Sequence, residues 1–113
     1  IKRIINAFGY SKDGLAAAYR YESAFRQVLW LNLILIVLTF ILNFDSATKM
    51  LLIIASFVSL ITELFNTAVE AAVDHTSTEK HELAKRAKDA GSAAQLLALT
   101  MLGIVWAIAL WRE

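Results

Sequence analysis

The stretch Glu63–Asp74 reads ELFNTAVEAAVD and closes a longer, mostly apolar run that begins at Met50. At about 100° per residue, Ser56, Ser59, Glu63, Asn66, Thr67, Glu70 and Asp74 fall on one face of a helix. The other faces carry Leu, Ile, Phe, Val and Ala, so the element is an apolar rod with one polar seam. A carboxylate at membrane depth costs at least ~2.5 kcal/mol even on insertion scales. Two on one face mark the place where chemistry is expected, and the rest of the chain is read outward from them.

Composition decides which solvent the rod meets. Of 113 residues, 58% are hydrophobic, and there is no Pro and no Cys. A chain this short and apolar does not suit a soluble domain with a polar surface, and it reads as one membrane domain over residues 1–113. The lack of Pro permits long uninterrupted helices. The lack of Cys excludes a disulfide framework, a thiolate metal site and a Cys nucleophile. A net charge of +1 supplies no basic field to attract nucleic acid. The first apolar run comes after a long charged segment without a small-residue cleavage site, so no cleavable signal peptide is read there. Because the first residue is Ile rather than Met, further N-terminal residues are expected.

Three spans emerge from the charge-free runs. Residues 28–44, 17 in number, form the first. A tight turn at 45–49 forces the second, 50–73, to run back antiparallel. Residues 90–111, 22 without a charge, form the third. Trp106 and Trp111 near its far end are expected in the aromatic belt. Before the spans, residues 1–27 place Lys2, Arg3, Lys12, Arg20 and Arg26 among apolar and aromatic side chains. Ile1, Ile4, Ile5 and Phe8 keep helical spacing, an interruption is expected over Gly9–Gly14, and Ser11 is the N-cap of a second helical segment. A basic helix with aromatics suits the membrane interface; a helix packed on the others is the structural alternative. Between the second and third spans, Ser77, Thr78 and Glu79 suggest a helix start, and residues 81–89 a helical approach to the membrane. The expected fold is all-α: an N-terminal amphipathic surface helix plus three transmembrane helices in a bundle.

Lys and Arg set the orientation. Five precede the first span and four (Lys80, Lys85, Arg86, Lys88) separate the second from the third, against Lys49 in the turn and Arg112 at the end. The positive-inside rule places the N-terminus and second connection in the cytoplasm and the C-terminus outside. Measured from Met50, Glu63 then lies about 20 Å and Glu70 about 30 Å along the helix, toward the cytoplasmic face. A proton-coupling carboxylate of a transporter sits more naturally near the midplane. This pair sits where a lipid headgroup and a water-soluble molecule can meet.

Glu63 and Glu70, with Asn66 between them, suit a divalent metal held partly by carboxylates and partly by phosphate oxygens. Lys85, Lys88, Ser92 and Gln95 form a polar and basic strip entering from the same side, with Lys88 placed to serve phosphate as a point charge. Glu22 and Arg26 lie one turn apart just before the first span. No GxxxxGK[ST], GxGxxG, HRD or DFG motif is present, which excludes the P-loop and protein-kinase designs. Structural alternatives stand beside each reading. The carboxylates can bond neighbouring helices, Lys85, Arg86 and Lys88 can set topology, His81 can be solvated, and the Trp pair can anchor. Gly91 and Gly103 are read as close-packing positions.

On these residues the whole chain resembles the prokaryotic integral-membrane diacylglycerol kinases, including the undecaprenol kinases. The resemblance rests on ELFNTAVEAAVD, on ESAFRQ at 22–27 and on HELAKRAKDAGSAA at 81–94, three blocks in the right order. It implies ATP- and magnesium-dependent phosphorylation of a lipid hydroxyl at the cytoplasmic face of a bacterial inner membrane. Glu63 is then the general base, and Glu22 with Glu70 holds the magnesium that accompanies ATP. Asn66 and Lys88 match phosphate contacts, Arg3, Tyr10, Glu79, His81 and Asp89 match nucleotide positions, and Arg26, Ser92 and Trp106 match positions near the lipid. It further implies a homotrimer whose active sites are shared between subunits. Phe65, Val28 and Lys12 depart from the family pattern, and none removes a proposed catalytic residue.

The resemblance leaves the acceptor open between diacylglycerol, favoured by KDAGSAA, and undecaprenol. A small proton-coupled transporter is the alternative from another class, disfavoured by three spans and a second carboxylate. A non-catalytic membrane subunit would leave the paired carboxylates without a role.

Overall fold

The structure, a computed structural model, describes residues 1–76 and 82–112. It contains four helices: α1 (Lys2–Tyr21), α2 (Ser23–Ile41), α3 (Ser46–Thr76) and α4 (Glu82–Trp111). α2, α3 and α4 are each long and apolar enough to cross a membrane. At 1.5 Å per residue, the 19 residues of α2 reach about 28 Å and the 31 of α3 about 46 Å, so α3 and α4 outrun a hydrocarbon core that α2 only just crosses.

Helix boundaries depart from the sequence reading in three places. α1 does not stop at Gly9–Gly14: no glycine takes a positive φ, and nothing packs within 4 Å of the missing Cβ at either position, so the helix runs through both. The first membrane helix begins at Ser23, because Glu22 alone breaks the chain, with extended φ −117° and ψ 105°. α3 begins at Ser46 because Asp45 caps it: the Thr48 N–H donates to Asp45 Oδ1 at 2.8 Å. The turn is therefore Leu42–Asp45, and the uncharged run overshot the helix by three residues.

The joint at Glu22 is made by backbone and Arg26. The Glu22 N–H donates to the Ala18 carbonyl at 3.0 Å, and its own carbonyl accepts from the Arg26 N–H at 3.2 Å. The Arg26 guanidinium donates to the Tyr19 and Arg20 carbonyls at 2.6 and 3.1 Å, satisfying acceptors that the last turn of α1 leaves open. Trp30 Nε1 donates to Tyr19 Oη at 3.3 Å as a second tie between α1 and α2.

Most packing is between α3 and α4 and between α2 and α3. The core between them has two halves. Near the Leu42–Asp45 turn it is apolar, built from Phe44, Leu52, Ala55, Leu102, Trp106 and Ala109, with the Trp106 ring edge-on to Phe44 at 5.8 Å between centroids. Trp106 thus lies inside, whereas Trp111 is exposed. Toward the other end polar groups enter it: Asn32, Ser56, Ser59, Glu63 and Gln95 are buried beside Phe25, Val28 and Ala98. Outward-facing positions carry Leu33, Ile34, Phe40, Ile54, Phe57, Phe65, Leu97 and Ile104 instead. Polar inside and apolar outside is the arrangement lipid imposes, since lipid cannot satisfy polar groups and does not drive apolar ones inward.

Candidate active site

A polar floor lies beneath Glu63. Asn32 Nδ2 donates to the Val28 carbonyl at 2.9 Å and to Ser59 Oγ at 2.8 Å, and Ser59 Oγ donates to the Ser56 carbonyl at 2.9 Å. Gln95 Nε2 donates to the Ser59 carbonyl at 3.1 Å. One serine of α3 thereby gathers α2 and α4. One turn further along α3 the Glu63 side chain is buried, with 5% of its surface exposed and the Gln95 amide beside its carboxylate. Asn32 Oδ1, Ser56 Oγ and Gln95 Oε1 are buried without a partner among the described residues. Each such atom costs about 1–3 kcal/mol, a price accepted in a site that must stay polar.

Charge converges on this level. Glu22 and Glu70 both lie close enough for their charges to act on Glu63. Glu22, together with Ala18 and Gly14 of α1, lines one apolar groove with Leu64, Thr67 and Ala71 of α3. Its side chain caps neither helix, so the carboxylate stays available beside the N-terminus of α2, where an anion is favoured. Glu70 acts also on Lys88 of α4. Lys88 Nζ donates to Asp74 Oδ1 at 2.7 Å, closing α4 onto α3 with an ion pair. Between Glu63 and Glu70, Asn66 turns its side-chain oxygen inward against Gly91, where it is buried and unpartnered among the described residues.

Glu63, Asn66 and Glu70 follow one another along α3, Asn66 lies against Gly91 and Lys88 against Asp74 of the same seam, and the charges of Glu22 and Glu70 act on Glu63. Arg3 and Tyr10 are exposed on α1, about 28 and 18 Å along that helix from Glu22, and do not meet the cluster within one chain. Asp89 is engaged by Lys85 at 2.7 Å on the outer face of α4, and Ser92 is exposed beside Gly91. Arg26 is occupied by the carbonyls of α1. Glu79 and His81 lie outside the described residues. Gly103 has open space where a Cβ would stand, unlike Gly91, so only one of the two glycines marks a close approach within the chain. Asn32 is missed by sequence reasoning; an amide near the start of the run 28–44, which also holds Asn43, is the available signal. Asp74 belongs to the seam, and its bond to Lys88 has no signature in the sequence.

The donor set can be tested against a magnesium ion. Among the described residues no group of three or more His, Asp or Glu could enclose a metal. Magnesium usually takes one or two carboxylates and completes its shell with substrate phosphate and water, which is what Glu22 and Glu70 can offer.

Three membrane-length helices that bury the Glu63 carboxylate among polar side chains define an integral membrane protein equipped for chemistry. A model of the prokaryotic diacylglycerol kinase family matches residues 9–110. A diacylglycerol kinase of Pseudomonas aeruginosa is 50% identical over 107 residues, covering 95% of this chain and 87% of that protein. Those of Helicobacter pylori strain 26695 and Escherichia coli K12 are 50% and 47% identical, over 93% and 98% of this chain and 82% and 91% of theirs. The chain belongs to the prokaryotic diacylglycerol kinase family and is a membrane-embedded kinase. Membership implies phosphoryl transfer from ATP, generally with a divalent metal.

Proposed function

We propose that the protein phosphorylates the free hydroxyl of diacylglycerol with ATP and magnesium, at the cytoplasmic face of a bacterial inner membrane. The observation that carries this reading is the buried Glu63 carboxylate, inside a membrane-length helix and in one charge cluster with Glu22 and Glu70. The lipid hydroxyl oxygen attacks the γ-phosphorus, the bond to the β–γ bridging oxygen breaks, and ADP leaves. Glu63 accepts the hydroxyl proton as the new bond forms. Glu22 and Glu70 would hold the magnesium, which neutralises phosphate charge when bound. Lys88 and the Asn66 NH2 donate to phosphate oxygens; such positioning and charge compensation make up most of the catalysis in phosphoryl transfer.

The remaining assignments belong to the same proposal. α1 lies in the membrane interface with the N-terminus cytoplasmic, and the chain functions as a homotrimer with shared sites. That arrangement accounts for Arg3 and Tyr10, which a neighbouring subunit's nucleotide can reach although their own cluster does not. Asp89, Glu79 and His81 are assigned to the nucleotide, and Ser92 and Arg26 to the lipid side. Trp106 is assigned to the lipid side with them, from its place in the core.

The test is transfer of phosphate from magnesium ATP to diacylglycerol and, separately, to undecaprenol, for the native protein and Glu63→Gln. Transfer to diacylglycerol that falls at least ~100-fold in the variant, with nucleotide binding kept, is the expected result. Preference for undecaprenol would reassign the acceptor. No transfer to either lipid from folded protein would overturn the reading.

A further inference from the structure

The contact between Asn66 and Gly91 is the tightest that any glycine makes across helices here. A Cβ placed on Gly91 would collide with Asn66 Oδ1 and stand 3.4 Å from Asn66 Cγ and 3.9 Å from Asn66 Cα. The side-chain oxygen occupies the space that any other residue at position 91 would fill. Gly9, Gly14 and Gly103 have nothing within 4 Å of that position, so a seat of this kind is specific to Gly91.

Orientation follows from the seat. With Oδ1 buried against Gly91, the end of the Asn66 amide left to face the open side is its NH2 group, with two donors and no acceptor. The reverse arrangement would press the bulkier NH2 into the same space and bury two donors there. It would also present an acceptor to any anion bound between Glu63 and Lys88. A phosphate oxygen accepts hydrogen bonds, so only the arrangement with Oδ1 seated on Gly91 helps to bind it.

We propose that Gly91 is a positioning residue for phosphoryl transfer: by carrying no side chain, it seats the Asn66 oxygen and turns the Asn66 NH2 toward phosphate. This rests on the reading that Asn66 contacts phosphate. Gly91 itself touches no substrate. An added methyl would meet the far end of a flexible side chain rather than backbone, so the amide rotates away and the helices need not separate. The effect of Gly91→Ala is thus misdirection of donors in a protein that still folds. Where Asn66 is absent the collision disappears, and Ala becomes the better helix former by about fivefold in a folding equilibrium.

Gly91→Ala, Asn66→Ala and the double variant, each as full chain in detergent, separate these effects. The readouts are initial rates against ATP and against diacylglycerol, binding of a non-hydrolysable magnesium ATP analogue, and thermal unfolding. Gly91→Ala is expected to lower kcat/KM for ATP by roughly tenfold or more, with KM for the lipid within about twofold of native. In the Asn66→Ala background the same change should leave rate and analogue affinity within about twofold, and it should raise the unfolding midpoint. Losses that multiply across the two sites, or a native kcat/KM for ATP in Gly91→Ala, overturn the proposal. Native activity in Asn66→Ala overturns the phosphate reading on which it rests, while the change in unfolding midpoint with and without Asn66 still tests the seat itself.

Discussion

Ser59 shows how much a single side chain organises here. Its hydroxyl and carbonyl receive Asn32 from α2 and Gln95 from α4, so the level below Glu63 is fixed by one residue of α3. Interhelical hydrogen bonds in membranes average about 0.6 kcal/mol and reach about 1.7. An Asn32→Ala and Ser59→Ala double-mutant cycle, read by denaturant unfolding in micelles, should give a coupling in that range, and strictly additive losses would show that the bond contributes nothing. Lys88 permits a second residue-scale prediction. On the proposed phosphate role of Lys88, Asp74 would compete with phosphate for its ammonium, so Asp74→Asn should lower KM for ATP by about two- to fivefold at low salt, with the gain shrinking as salt is added. The seam was legible in the sequence because seven polar residues recur at helical angles. The donor and acceptor pairing inside it was not, because periodicity gives a face and says nothing of which side chain on another helix comes opposite. Gly91 illustrates the difference: its smallness was visible, but the atom it accommodates was not.

Helix ends behave differently from helix faces. Asp45 caps α3, and the Thr48 N–H that it accepts holds its carboxyl below the ordinary value of 3.8, with Arg112 adding a smaller electrostatic contribution. A carboxyl depressed by folding stabilises the folded state above its unfolded pKa, and that stabilisation is lost as pH falls through the folded one. The contribution of Asp45 should therefore be constant at neutral pH and disappear only below about 3.8. Asp45→Asn, which keeps a capping oxygen, should melt close to native at pH 7, whereas Asp45→Ala should melt a few degrees lower. At the other joint, Arg26→Lys cannot reproduce a fork that reaches two carbonyls. A spin label on Lys12 should become more mobile in that variant, while labels on α4 should not change. Three membrane-length helices were legible in the sequence, because charge-free runs are a coarse signal that survives errors of a few residues. The joints were harder to place, because Gly9 and Gly14 suggested a break that a continuous helix tolerates, while Glu22 breaks the chain with no Gly, Pro, Asn or Asp beside it.

As a whole the molecule measures 51 × 39 × 22 Å, and its three spanning helices differ in reach. α2 covers about 28 Å, which matches an average bilayer with nothing to spare, while α3 and α4 extend well beyond. Activity and thermal stability in phosphatidylcholine bilayers of increasing chain length should therefore decline once the hydrocarbon exceeds about 30 Å, because only α2 lacks residues to follow it. An equal response in thick and thin bilayers would contradict that assignment of the limiting element. The membrane class was legible from composition alone; the division of the core into an apolar half around Phe44 and Trp106 and a polar half around Ser59 was not, since both halves are built from helices of similar average character. The one-residue joint at Glu22 also bears on how such a chain can change its length over evolutionary time. One residue inserted there would lengthen the break and shift the Glu22 carboxylate along the groove it lines with α3. The Leu42–Asp45 turn lies at the opposite end of the bundle, away from the carboxylates, so insertions can accumulate there while the first joint stays fixed in length.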